Sequence, residues 1–272
     1  MSPLVRRIYD LGLLLFVVTV ALRRHAMGSE IGFEGRLVVL QGLLVVLLTG
    51  LHAGARLGFP RSLILAAVAV GISLPAEWLG ATRGWVFGAY DYTDLFRPRV
   101  WGVVPLLIPV AWYILAYLGD ALAGMALPDR APALARVAFA ALAVTSWDFL
   151  FDPICVALGA WTWEGGGAYF GVIPLSNFVG WFGVASVIHG VYYVLARPVP
   201  SDEAMAVSDP VHYLAPLALY GALTGLMAAF ALRLGLVGEA VVGVAVALPF
   251  LILATSGYVE RRRESRTEAT IA

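Results

Sequence analysis

The sequence contains no lysine, and this absence excludes a class of chemistry. All eighteen basic residues are arginine, so no side chain can form a Schiff base with a carbonyl ligand, and a retinal-binding helical bundle is excluded. Cysteine is almost absent as well. The single Cys155 excludes an internal disulfide and any metal or iron–sulfur site that needs several thiolates.

Histidine and clustered charge are also scarce. His52 and His189 lie in apolar stretches, His25 and His212 lie in connections, and no two have the spacing of metal ligands. There is neither a glycine-rich phosphate loop nor a nucleophile elbow. We therefore expect no metal or other cofactor. The net charge is zero, so no nucleic-acid partner is predicted.

Apolar residues dominate the chain. Hydrophobic residues make up 61%, charged residues 13%, and the mean hydropathy is +0.86, which lies outside the range of soluble proteins. We predict an all-α polytopic transmembrane bundle forming a single integral membrane domain over 1–272. About eight runs are long enough to span a bilayer, near 8–22, 37–55, 62–80, 103–127, 134–152, 174–196, 213–232 and 238–258.

The order of these spans predicts their topology. With eight spans, eleven arginines fall on the side of the two termini and seven on the other, which predicts a multi-pass protein of the cell membrane with both termini in the cytoplasm. The arginines near the C-terminus indicate a cytoplasmic anchor; they are Arg261, Arg262, Arg263 and Arg266. Connections 81–102 and 153–173 are separated by two crossings, so they should emerge on the same membrane face and can build one site.

These two connections resemble each other. Trp101-Gly102-Val103-Val104-Pro105-Leu106 and Phe170-Gly171-Val172-Ile173-Pro174-Leu175 each lead into an apolar run, and both prolines suit the first turn of a helix. Upstream of them lie Glu77 and Asp148, each beside a tryptophan. This pattern favours an internal helix–loop–helix repeat, which would place a site at the repeat interface. The alternative is that Gly, Val, Pro and Trp simply recur at membrane interfaces.

Four carboxyl groups are candidate catalytic residues, because an ionisable side chain inside a span is costly: Glu77, Asp91, Asp148 and Asp152. Asp148 and Asp152 are four residues apart and share one helical face. Asp152 precedes Pro153, which predicts a helix end or kink that solvent can reach. Asp148 lies one turn deeper, where burial would keep it protonated. Glu77 lies near the end of its span, so it either reaches headgroup water or belongs to the site.

Aromatic side chains are concentrated in the same two connections. The candidate substrate-binding residues are Trp85, Tyr90, Tyr92, Trp161, Trp163, Tyr169 and the amide Asn177. An interfacial aromatic belt accounts for part of this set without any ligand. Aromatic faces near a buried acid can also stabilise a carbocation. Asn177 either fixes a water or substrate oxygen or satisfies a neighbouring helix.

Several short blocks resemble the membrane carotenoid hydratases of the carotenoid biosynthesis protein family. They are Glu77-Trp78-Leu79-Gly80, Phe87-Gly88-Ala89-Tyr90-Asp91-Tyr92, Gly102-Val103-Val104-Pro105, Asp148 with Trp161-Thr162-Trp163, and Tyr169 through Phe178, and together they define a family-like core of about 70–195. The resemblance implies addition of water across the terminal isopropylidene double bond of an acyclic carotenoid, giving a tertiary alcohol. The implied partners are a membrane-embedded carotenoid, water and the lipid bilayer, with other carotenoid biosynthesis enzymes as candidate protein partners.

The residues suit this chemistry without the family label. Hydrating an unactivated alkene needs an acid that protonates carbon and a water delivered to the tertiary cation, and neither step needs a cofactor. Two alternatives stay open. Asp148 and Asp152 could hold Mg²⁺ against a diphosphate in a membrane prenyltransferase, with Asp91, Asp94 and nearby arginines as the second cluster. A transporter or lipid-binding scaffold is the other, supported by the repeat.

Overall fold

Long apolar helices make up most of the chain, as its hydrophobic runs predict. The computed structural model describes residues 3–26, 31–197 and 209–271, without the side chains at 3, 21–26, 31–39 and 268–271, so the side chain of His25 lies outside it. The helices are α1 (Pro3–Ala26), α2 (Ile31–Leu57), α3 (Phe59–Arg83), α4 (Leu107–Ala126), α5 (Ala133–Ala157), α6 (Leu175–Ala196), α7 (Pro210–Tyr213), α8 (Ala215–Arg233) and α9 (Val237–Ile271).

Seven of the described helices are long and apolar enough to cross a membrane: α2, α3, α4, α5, α6, α8 and α9. The all-α polytopic prediction is confirmed. The first predicted span also forms a helix, α1, but it is not among the seven. Its uncharged stretch between Asp10 and Arg23 is shorter than the roughly 20 residues that a bilayer requires.

The chain divides into two compact units. One consists of the described residues up to Leu63, where Gly12 of α1 lies against the side chain of Leu48 in α2. The other begins at Ile64 and contains every candidate site residue. Within this second unit α4 is the most buried of the seven apolar helices, and α5, α6, α8 and α9 all pack against it.

Glycine lets two helices approach α4 closely. A Cβ at Gly119 would lie 2.8 Å from the carbonyl oxygen of Ala140 in α5. A Cβ at Gly257 in α9 would lie 2.1 Å from the carbonyl oxygen of Met125. Both distances are shorter than van der Waals contact, so these crossings require the smallest residue.

Short strands join the two connections that the sequence singles out. Strand β1 (Tyr90–Tyr92) lies in the first and β4 (Trp161–Trp163) in the second. They pair antiparallel, with Tyr90 opposite Trp163 and Tyr92 opposite Trp161. The two connections therefore meet through backbone hydrogen bonds, as a shared membrane face requires.

Each connection also contains a tight hairpin, and the two hairpins are alike. In the first, β2 (Arg99–Val100) pairs with β3 (Val104–Pro105) around Trp101 and Gly102, whose φ angles are 51° and 71°. In the second, Phe170 and Gly171 have φ angles of 50° and 79°. Positive φ at both central residues defines a type I′ turn.

The hydrogen bonds of the hairpins correspond as well. The N–H of Val103 donates to the carbonyl of Val100, and that of Val172 donates to the carbonyl of Tyr169, each at 3.1 Å. The bridge between Tyr169 and Ile173 matches the pairing of Val100 with Val104. The structure thus supports the predicted repeat, with a hairpin as its best-matched part.

These hairpins correct the predicted helix starts. Pro105 lies in β3, and α4 begins at Leu107 rather than at 103. Pro174 has extended backbone and immediately precedes α6. Neither proline is in the first helical turn, because the preceding type I′ turn keeps its flanking residues in strand pairing.

The helix does not end at Asp152, and the predicted access of solvent to this residue is wrong. Helix α5 continues through Pro153 to Ala157, and Asp152 is 2% exposed. Proline lacks the N–H that would bond to the carbonyl four residues earlier, which is that of Phe149. The hydroxyl of Tyr169 donates to this carbonyl at 3.0 Å instead. A donor from another segment therefore satisfies the backbone and keeps the helix intact.

Candidate active site

Three carboxyl groups surround one small cavity in the second unit. Glu77 comes from α3, and Asp148 and Asp152 come from α5; they are 5%, 1% and 2% exposed. The cavity encloses about 30 Å³, comparable to the volume of one water molecule. Its walls are Glu77, Phe87, Tyr90, Tyr92, Ile108, Ala111, Trp112, Asp148, Phe151, Asp152, Trp161, Trp163, Asn177 and Trp181.

Glu77 accepts hydrogen bonds from three aromatic side chains. Its Oε2 accepts from the hydroxyls of Tyr90 and Tyr92 at 2.6 and 2.7 Å, and its Oε1 accepts from Nε1 of Trp112 at 2.8 Å. These donors satisfy both oxygens of an ionised carboxylate. The alternative that Glu77 reaches headgroup water does not hold, since the side chain is buried.

The tyrosines of β1 remain donors in this arrangement. Burial, followed by the negative charge of Glu77, raises the pKa of Tyr90 well above its usual value. The same two causes, in the same order, raise the pKa of Tyr92. Both hydroxyls therefore keep their protons and can donate them to Oε2 of Glu77.

Asp152 is bound by the second strand and by α6. Its Oδ1 accepts from Nε1 of Trp161 at 2.6 Å and from Nε1 of Trp163 at 3.1 Å. Its Oδ2 accepts from Nδ2 of Asn177 at 2.8 Å. Like Glu77, Asp152 has donors on both oxygens, and these hydrogen bonds offset part of the cost of burying an ionised carboxylate.

Asp148 differs from the other two carboxyl groups. Its Oδ2 accepts from Nδ2 of Asn177 at 2.6 Å, so this amide bridges Asp148 and Asp152. Its Oδ1 is buried and has no hydrogen-bond partner among the described residues. A protonated carboxyl group can place its O–H at that oxygen, directed away from the donor amide. Asp148 is therefore the member of the cluster best suited to carry a transferable proton.

Comparison with known proteins identifies the family. Residues 35–250 match the family model described as "Carotenoid biosynthesis protein". This chain belongs to the carotenoid biosynthesis protein family. The chain is also 33% identical over 125 residues to bisanhydrobacterioruberin hydratase of Haloarcula japonica. That alignment covers 45% of the chain and 42% of the relative, and no solved structure matches.

Most of the predicted site residues of this carotenoid biosynthesis protein meet at the cavity. They are Glu77, Asp148, Asp152, Tyr90, Tyr92, Trp161, Trp163 and Asn177. Strand alternation explains why Tyr90 and Tyr92 both reach the cavity, since alternate residues of β1 face the same side of the β1–β4 ladder. Their rings lie 4.9 Å from Trp163 and 5.9 Å from Trp161, respectively.

Three other predicted residues lie elsewhere. Asp91 is exposed, because it occupies the alternate position of β1 opposite Thr162. Trp85 is 63% exposed. Tyr169 packs on Phe149 and Phe178, and burial, followed by the charge of Glu239, raises the pKa of its hydroxyl. The hydroxyl of Tyr169 donates to the backbone of α5 instead of facing the cavity.

The cavity also includes residues that were not predicted as site candidates: Phe87, Ile108, Ala111, Trp112, Phe151 and Trp181. Most lie inside apolar runs, where nothing local distinguishes them from lipid-facing residues. Trp112 and Trp181 can nevertheless be recognised from the sequence, because each lies seven residues after the proline of its repeat, Pro105 or Pro174. Alignment of the two repeats would have identified both.

Proposed function

We propose that this protein hydrates the terminal isopropylidene double bond of an acyclic carotenoid to a tertiary alcohol. The observation that carries the proposal is the buried Asp148, whose Oδ1 has no partner in the part of the chain that the structure describes, in an aromatic cavity beside two hydrogen-bonded carboxylates. The hydratase relative supports the reaction class.

The proposed reaction begins with proton transfer to carbon. The O–H of Asp148 protonates the less substituted alkene carbon, the π bond breaks, and a tertiary cation forms on the other carbon. A water oxygen then bonds to the cation, and one water proton passes to Asp152. Return of a proton from Asp152 to Asp148 restores the starting state, so the net change is the addition of one water. Asn177 holds both carboxyl groups in position for this exchange.

The substrate needs more room than the cavity has in this structure. A free volume of about 30 Å³ admits a water but not the end of a polyene. Entry of the end group thus requires the cavity side chains to separate. An apolar polyene partitions into the bilayer, so lateral entry between helices is the expected route.

The geometry does not favour prenyl transfer. Asp94, the acid expected in a second metal cluster, forms ion pairs with Arg97 at 2.8 Å and Arg99 at 3.1 Å. Asp91 faces away from the cavity. Within 3–26, 31–197 and 209–271, no three His, Cys, Asp or Glu side chains are grouped to hold a metal ion.

The product mass tests this proposal. A host that makes acyclic carotenoids should gain pigments heavier by one water when it expresses this chain. Asp148→Asn preserves shape but removes the transferable proton, so the unhydrated precursor should accumulate, whereas Asp91→Asn should behave as the unmodified protein. In deuterated water, the product should carry one non-exchangeable deuterium on the carbon next to the alcohol. Unchanged pigment masses would instead favour a transporter or scaffold.

A further inference from the structure

Five aromatic side chains of the cavity donate their polar hydrogen to a buried carboxylate. Tyr90, Tyr92 and Trp112 donate to Glu77. Trp161 and Trp163 donate to Asp152. We call these five side chains the aromatic cage. Each is anchored by its polar hydrogen, which leaves its ring to form the cavity wall.

Anchoring to a carboxylate changes what these rings can bind. A hydrogen bond from an indole N–H or a phenol O–H to an anion shifts electron density into the ring, since hydrogen-bonded groups in a low-dielectric site polarise one another. A more electron-rich ring attracts a cation over its face more strongly. The two carboxylates therefore act on a cation in the cavity both directly and through the rings.

The charge balance of the cavity also favours a cation. Glu77 and Asp152 each have donors on both oxygens, yet no basic side chain is among the described residues that line the cavity. Buried charges in proteins are normally paired with an opposite charge. The unpartnered Oδ1 of Asp148 adds a further buried acceptor at the same place.

The internal repeat explains why the two halves of the cavity differ. Glu77 precedes Tyr90 and Tyr92 by the same intervals as Asp148 precedes Trp161 and Trp163. In the first repeat the aromatic donors bind Glu77 itself. In the second they bind Asp152, one helical turn further along, so the position equivalent to Glu77 keeps an oxygen without a donor.

The stacked tryptophans mark the place where the repeats meet. Trp112 and Trp181 occupy equivalent positions, and their ring centroids lie 4.3 Å apart with the planes at 24°. Both line the cavity. Among the described hydrogen bonds, only Trp112 of this pair donates to one of the three carboxyl groups, which is Glu77. The side of the cavity formed by Glu77 and Trp112 is therefore the stronger cation site.

We infer that the aromatic cage, once its side chains separate as entry of the end group requires, binds hydrophobic ammonium ions. In this site Glu77 serves as a positioning residue that acts through Trp112, Tyr90 and Tyr92. The inference deepens the proposed function, because a quaternary ammonium group carries the positive charge of the tertiary cation within a similar apolar volume. Glu77 then has no part in proton donation, and Asp148 alone is the acid. Binding itself needs no turnover, so it is measured apart from hydration.

The test compares a cation with a neutral molecule of the same shape. Full-length protein in phosphatidylcholine nanodiscs is titrated with radiolabelled dodecyltrimethylammonium and with its tert-butyl isostere, and empty nanodiscs are subtracted. Glu77→Gln should weaken binding of the cation about tenfold while the neutral isostere changes by less than about twofold. Asp91→Asn, an exposed charge on the same strand, should change neither. Equal weakening of both ligands would show a structural effect and overturn the inference.

A double-mutant cycle tests the route through the ring. Trp112→Phe keeps an aromatic face but removes the N–H that reaches Glu77. If Glu77 acts through this ring, the effects of Glu77→Gln and Trp112→Phe on cation affinity should be less than additive in the double variant. Full additivity would overturn the proposed route. Hydration without any cation binding would overturn only this inference, and cation binding without hydration would overturn only the proposed reaction.

Discussion

The guanidinium of Arg261 in α9 donates a hydrogen bond to the backbone carbonyl of Met125 in the last turn of α4. Its second nitrogen donates to the carbonyl of Leu127 and lies 3.7 Å from Asp129. The last carbonyls of a helix have no partner within the helix, and a cation at this end also interacts favourably with the helix dipole. Arg261 therefore caps α4, the helix that provides Trp112.

Arg261→Ala should lower the stability of the protein. It removes charged hydrogen bonds to otherwise unpaired carbonyls, so we expect a loss of about 2 kcal/mol in the free energy of unfolding. The neighbouring Arg263 is exposed, and Arg263→Ala removes the same charge as a matched control. Thermal unfolding in detergent measures both. Equal melting temperatures for the two variants would contradict the capping role.

The bond from Tyr169 to the carbonyl of Phe149 predicts a specific coupling with Pro153. Tyr169→Phe should destabilise the protein by about 1 kcal/mol, because a buried carbonyl loses its donor. In a Pro153→Ala background the alanine N–H can bond to the same carbonyl, so Tyr169→Phe should cost less there. Unfolding of the four proteins measures the cycle. An equal cost in both backgrounds would show that Tyr169 acts only by packing.

The continuation of α5 through Pro153 could not be predicted from the sequence. The rule that proline disfavours helix at the preceding residue is local, and it predicted a helix end or kink at Asp152. The compensating donor, Tyr169, lies beyond β4 in the connection that follows α5, so the residues around the proline do not reveal it. Apolar runs, in contrast, specify helices almost by themselves, and for this reason seven of the predicted spans match described apolar helices.

The candidate site also has a part that the sequence predicts and a part that it does not. The acids and Asn177 were predictable, because a polar residue inside an apolar run stands out. Pairing of β1 with β4 was not, since each strand has three residues and the partners are far apart in sequence. That pairing decides that Tyr90 and Tyr92 face the cavity and that Asp91 does not. Trp112 and Trp181 were hidden in apolar runs and required the repeat to be used as an alignment.

Membrane topology gives a further prediction, because α4 and α5 lie between the two paired connections. Single cysteines at the exposed positions Asp91 and Glu164 should react with a membrane-impermeant thiol reagent from the same side. A cysteine at Arg130, in the exposed turn between α4 and α5, should react from the opposite side. The native Cys155 is buried and should stay unlabelled. Opposite accessibility of positions 91 and 164 would eliminate a site shared by the two connections.

Asn177 offers the sharpest test of the paired acids. Its Nδ2 donates to Asp148 at 2.6 Å and to Asp152 at 2.8 Å, so a single amide sets the spacing of the two groups that exchange protons in the proposed reaction. Asn177→Leu keeps the size of the side chain but removes both donors. The two carboxyl groups should then lose their alignment, and we expect kcat for hydration to fall on the order of 100-fold with little change in KM. Ser176→Ala is the matched control, because this neighbour donates only to the carbonyl of Phe87 at 2.9 Å. If Asn177→Leu raises KM and leaves kcat unchanged, the amide binds substrate rather than aligning the acids.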